Sequence, residues 1–120
     1  MGVIQVNPGS PLTIGGGSGQ KISAYNALNT TPAQVAAANP SRQSITFHNP
    51  GDVDIFIAPT VIQTTGSDVA FAPTTSALGG CFRVFSNGGS LTITGECQKA
   101  WQAFTASGTG KPLTVMESNT

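Results

Sequence analysis

Charge is what this chain has least of. Only 8% of its 120 residues are Asp, Glu, Lys or Arg, against roughly 25% in ordinary soluble proteins. Five basic and five acidic residues cancel to a net charge of zero. Lys21, Arg42, Arg83, Lys99 and Lys111 stand singly along the sequence. Binding a phosphate backbone needs a clustered positive field, so nucleic acid is not expected as a partner. Histidine is nearly absent, with His48 alone. A Ser-His-Asp triad would have to join it to Asp52, Asp54 or Asp68 and an activated serine, and no nucleophile elbow is present. With no acid–base pair or nucleophile legible, the chain does not read as an enzyme, and no cofactor is expected.

Metal chemistry is equally poor. Asp52 and Asp54 share a strand face, but only Asn49 lies nearby, and calcium usually takes roughly six to eight oxygens. These carboxylates read instead as solvated groups that blunt a sheet edge. The two cysteines, Cys81 and Cys97, lack metal-ligand spacing. They flank an expected hairpin, residues 81–86 and 91–97 around Asn87-Gly88-Gly89. Two small buried thiols are the simpler reading, and two cysteines do not by themselves specify a disulfide. No apolar run approaches the ~20 residues of a membrane helix. No basic-then-apolar leader opens the chain either, so no membrane partner and cytoplasmic synthesis are expected.

What is present is alternation. From Arg42 to Ile57, apolar and polar residues take turns: Ile45 and Phe47 on one face, Ser44, Thr46 and His48 on the other. After Asn49-Pro50-Gly51, Val53, Ile55 and Ile57 share a face opposite Asp54 and Phe56. Period-two alternation makes half-buried strands, and Pro-Gly suits a chain reversal. Further strands are expected over residues 34–38, 42–49, 53–58, 69–71, 81–86, 91–94, 99–105 and 113–117. Strands at this spacing predict an all-β fold, a jelly-roll-like β-sandwich or small barrel. The stretch 31–38 opens like a helix start but is read as a strand of small residues. Phe47, Phe56, Phe71, Phe82, Phe85, Trp101 and Phe104 are expected to build the core, at roughly 1.5–3 kcal/mol for each buried ring. Arg42 is expected to pair across strands with Asp54 or Glu117, a contact of modest worth.

Residues 1–30 differ from the rest. Asn7-Pro8-Gly9-Ser10-Pro11 and Gly15-Gly16-Gly17-Ser18-Gly19 interrupt short apolar pieces, so this part is expected as an extended arm, with the β-sandwich domain over 31–120. The glycine run ends in Gln20-Lys21-Ile22, which does not fit the Lys-Ser/Thr ending of a phosphate loop. A poorly self-supporting arm is a natural contact for a neighbouring subunit, with packing against its own domain as the equal alternative. Its apolar residues, Val3, Ile4, Val6, Leu12 and Ile14, are the candidates for a capsid or subunit interface.

Several segments carry a family resemblance: Pro32-Ala33-Gln34-Val35, then residues 38–51 with Arg42 opening a strand that ends in Asn49-Pro50-Gly51. The strand Val53-Asp54-Ile55-Phe56-Ile57 and the closing Leu113-Thr114-Val115-Met116-Glu117 complete it. In this order the chain resembles small virion proteins of tailed bacteriophages. One departure is Ala72-Pro73-Thr74-Thr75, where such proteins often carry Pro-Gly. The resemblance implies a jelly-roll-like fold and a capsid cement or decoration role on the exterior of an icosahedral head. The implied partners are the major capsid protein and further copies of the chain as a dimer or trimer. The alternative is a tail or fibre-associated adhesin binding host glycan, whose marker would be an exposed cluster of Trp101, Gln102 and Phe104.

Overall fold

The computed structural model describes residues 19–120. Its ten strands are β1 (Gln20–Leu28), β2 (Ala33–Ala36), β3 (Arg42–Asn49), β4 (Ile55–Pro59), β5 (Val61–Thr64), β6 (Ser67–Ala70), β7 (Phe82–Val84), β8 (Gly89–Ile93), β9 (Trp101–Thr105) and β10 (Lys111–Asn119). One antiparallel sheet runs β1-β10-β3-β8, the other β2-β9-β4-β7, and β5-β6 form a separate hairpin. Successive strands therefore alternate between sheets, from β1 to β4 and again from β7 to β10. That interleaving is the jelly-roll arrangement of two Greek keys, and the all-β sandwich expected from the sequence is what forms.

The alternation in β3 and β10 sets the core. Ile45, Phe47, Leu113 and Val115 turn inward from the first sheet and meet Ile55, Ile57, Val84, Trp101 and Ala103 from the second. Phe47 and Trp101 meet edge-on across the layers, with ring centroids 5.9 Å apart and planes at 62°, the orientation their quadrupoles favour. Strands β4 and β9 are buried on both faces. Outside the second sheet, Phe56 stacks on Phe104 at 5.4 Å. There Gln102 Nε2 donates to the carbonyls of Pro59 (3.1 Å) and Phe71 (2.8 Å). The chain leaving the β5–β6 hairpin thus folds back over this face. Thr65 (φ 47°) and Gly66 (φ 83°) occupy the hairpin's two central positions, where a primed turn needs positive φ twice.

Three expectations are corrected. Asn49-Pro50-Gly51 does not close a hairpin, because β3 and β4 belong to opposite sheets. Asn49 is fully buried and holds this arch: its Nδ2 donates to the carbonyls of Val53 (2.7 Å) and Val84 (3.1 Å), and its Oδ1 accepts from Gly51 N (3.0 Å). For the same reason 81–97 is not a hairpin. β7 and β8 lie in different layers, Cys97 is in the core, Cys81 is half-buried, and both thiols are free. Third, the boundary expected at residue 30 moves. β1 pairs with β10 from Gln20↔Ser118 onward and Leu28 joins the core, so the sandwich includes residues 20–28. The aromatic core also divides: Phe47 and Trp101 are central, whereas Phe82 and Phe85 stay exposed. Strand β5 was not anticipated.

Candidate interaction surfaces

The outer face of the first sheet is assembled by register. One row crosses it as Ile22↔Met116↔Thr46↔Thr92, a second as Ala24↔Thr114↔His48↔Ser90, and a third as Gln20↔Ser118↔Ser44. These residues alternate with the inward Tyr25, Val115, Ile45 and Phe47, so all point away from the core. At about 4.8 Å between strands, a four-strand row spans about 14 Å. None of the residues in these rows is Asp, Glu, Lys or Arg. Two cross-strand side-chain pairs are already made: Thr46 Oγ1 and Thr92 Oγ1 are 2.8 Å apart, and His48 Nδ1 and Ser90 Oγ 2.9 Å. Polar groups that keep a partner lose less when water is removed. Ile22, 67% exposed, stands at the rim of this face.

A second surface lies on β7 and the turn after it. Phe82 is 48% and Phe85 62% exposed. On the outer side, the Arg83 guanidinium sits 5.0 Å from the Phe85 centroid and 6.0 Å from that of Phe56, within cation–π range. Asp54 fixes it from the side, accepting from Arg83 Nε at 2.8 Å and also from Nη2. The arginine beside it, aided by the Ser86 backbone N–H, holds the Asp54 carboxyl below its ordinary value. Lys111 does the same for Asp52, to which its Nζ donates at 2.9 Å.

Lys21, Ala37, Ala38, Asn39, Arg42 and Glu117 line a cleft of about 210 Å³ at the β1 end of the sandwich. Arg42, 1% exposed, forms its floor. Its Nε and Nη2 donate to Glu117 Oε1 at 2.9 and 2.7 Å, Nη1 to the carbonyls of Cys97 and Lys99, and Nη2 to that of Ala37. Every guanidinium donor is used. Arg42 therefore buckles β3 to β10, to the approach to β9 and to the segment after β2. It is a structural group, and far less exposed than the modest contact expected.

The remaining candidates separate. Val3, Ile4, Val6, Leu12 and Ile14 lie outside the described residues. His48 faces outward beside Ser90, with no aspartate among its hydrogen-bond partners. Asp52 and Asp54 take different cationic partners instead of converging. Among the described residues, no group of three or more His, Cys, Asp or Glu side chains is placed to hold a metal ion. Trp101, Gln102 and Phe104 are buried, and Trp101 Nε1 donates to the Cys97 carbonyl at 3.2 Å; they offer no sugar platform. Trp101 and Phe104 are buried as the core reading expected, and the exposed cluster that the adhesin alternative needs does not form. The uncharged outer face was visible only as separate polar positions, at 44, 46 and 48, 90 and 92, and 114, 116 and 118. Burial raises the Cys81 thiol above its ordinary value, so it stays protonated near neutrality. Compared with protein-family models, curated proteins and solved structures, the chain matches none.

Proposed function

We propose that this chain is a structural protein of a tailed-phage virion, a cement or decoration protein that stabilises an icosahedral head from outside by bridging major capsid subunits. One observation carries the reading: the charge-free outer face of the β1-β10-β3-β8 sheet, on which Thr46 pairs with Thr92 and His48 with Ser90. Such a face docks on another neutral protein surface without stripping water from ions, which would otherwise oppose contact by several kcal/mol per ion. It offers a nucleic acid no cation. The jelly roll and the resemblance of residues 32–57 and 113–117 to phage head proteins support the same assignment. Many copies on one shell make weak individual contacts effective through avidity. The apolar residues of the arm, Val3, Ile4, Val6, Leu12 and Ile14, extend the contact along a neighbour by strand addition. The glycan-adhesin alternative loses its marker, since Trp101, Gln102 and Phe104 are inside.

The test is occupancy on heads stripped of the protein. Ile22→Lys combined with Met116→Glu places opposite charges on a cross-strand pair, sparing the sheet while charging the face. Head occupancy is expected to fall more than about tenfold, equivalent to 1.4 kcal/mol, with melting temperature unchanged. Full occupancy by this folded variant would remove the face from the mechanism.

A further inference from the structure

Four strands of the sandwich have an unpaired side among the described residues: β1, β2, β7 and β8. Natural sheets guard such edges with charge, proline, bulges or brevity. β1 carries Lys21 and an irregular register between Tyr25 and Leu28. β2 has four residues and breaks register between Gln34 and Ala36. β7 has three residues with Arg83 at its centre. β8 has none of these guards. Its five residues, Gly89-Ser90-Leu91-Thr92-Ile93, contain no charge and no proline. They run in unbroken register against β3, from Asn49↔Gly89 to Ile45↔Ile93.

The two most exposed aromatic rings described belong to the segment that leads into this strand. Phe82 belongs to β7, and Phe85 opens the tight turn into β8, where Gly89 N donates to the Phe85 carbonyl at 3.1 Å. An added Cβ at Gly89 would meet that carbonyl oxygen at 2.3 Å, so only glycine lets the strand begin so close to Phe85. Phe82 shares the face of β7 that carries core Val84 and so turns toward the layer of β8, whereas Phe85 lies with Arg83 on the outer side.

We propose that β8 pairs with β8 of a second copy, antiparallel about a two-fold axis through Leu91. The pairing opposes Leu91 to Leu91 of the second copy and Ser90 to Thr92, and joins two four-stranded sheets into one of eight. Isologous pairing of this kind closes on itself and suits a strand with no charge to repel its own copy. Leu91, on the inward face of β8, and Phe82, on the inward face of β7, supply the apolar burial that edge hydrogen bonds alone lack. The uncharged outer faces of both copies then form one continuous docking surface. This deepens the self-association within the proposed function and rests on it, but its readout is the mass of the isolated protein, which is independent of head binding.

Sedimentation equilibrium of the full chain at concentrations up to about 100 μM should show a dimer. Ser90→Lys with Thr92→Lys sets lysines opposite lysines across the axis, and should raise the dimer dissociation constant at least about tenfold while the monomer keeps its β circular-dichroism spectrum. Ser90→Lys with Thr92→Glu sets each lysine opposite a glutamate and should retain the dimer. That rescue fixes the register, since no other alignment pairs these positions reciprocally. A monomer at every concentration, equal dimerisation of both variants, or a dimer abolished by deleting residues 1–14, which would make the arm the strand donor, would each overturn the proposal.

Discussion

Replacing Arg42 by alanine asks how much the buckle beneath the cleft contributes. The guanidinium is 1% exposed and its partner Glu117 carboxylate 7%. Losing Arg42 frees the carbonyls of Ala37 and Lys99, both partly open to water. The Cys97 carbonyl keeps Trp101 Nε1 as a donor. The cost therefore concentrates on Glu117, left charged and almost buried without its cation. Breaking one side of a buried pair costs about 3–5 kcal/mol, where an exposed pair is worth about 0–1 kcal/mol. With a urea slope of about 2 kcal/mol/M, a loss of about 4 kcal/mol lowers the unfolding midpoint by about 2 M. Folded domains hold only about 5–15 kcal/mol in total, so the variant should stand near the limit of folding. Arg42→Met with Glu117→Leu removes both charges together and should sit closer to the parent than either single change. Urea denaturation followed by Trp101 fluorescence reads all three. A midpoint shift for Arg42→Ala worth less than about 1 kcal/mol would refute the reasoning, because it would put the pair in the exposed class.

Two further outcomes follow from the same structure. Thr105 Oγ1 is buried with no hydrogen-bond partner, so the near-isosteric Thr105→Val should raise stability by about 1 kcal/mol, and a lower urea midpoint would show that the hydroxyl has a partner. Asp52 and Asp54 are both held below the ordinary carboxyl value of 3.8 by Lys111 and Arg83. The unfolded chain therefore takes up these protons at higher pH than the folded one. Their contribution is complete above that value and is lost as pH falls through the lower folded values. Asp54→Asn should flatten the acid limb of a melting-temperature profile, and an unchanged limb would rule out its pairing with Arg83 as a source of acid sensitivity.

The parts of this fold that were legible beforehand depend on neighbours in sequence. The bounds expected for strand β3 are the ones it has, Arg42–Asn49, because polar and apolar residues alternate from Ser44 to His48 and the apolar ones turn inward. Sequence failed where burial is two-sided or pairing is remote. In β9 every residue is buried, so alternation says nothing there about which face meets solvent: Trp101 and Phe104 are core residues as expected, but on opposite faces of the strand. The reversals after β3 and β7 looked like hairpins because turn residues specify a change of direction, not the sheet in which the next strand lands. Asn49 holds that choice, its buried amide nitrogen donating to Val53 at the end of the arch and to Val84 in β7 of the second sheet.

By itself the sequence determined that the protein is built of strands, that its surface is nearly neutral, and that its few ionisable groups are dispersed. Those are properties of composition and short-range period, and they hold in any arrangement of the chain. Only the tertiary structure decided that Arg42 would meet Glu117 rather than Asp54, and that polar residues from β1, β3, β8 and β10 would form a single charge-free face. Residues as far apart as Ile22 and Met116 become neighbours through register. Register is fixed by burying one face of every strand at once, a condition no local stretch of sequence contains.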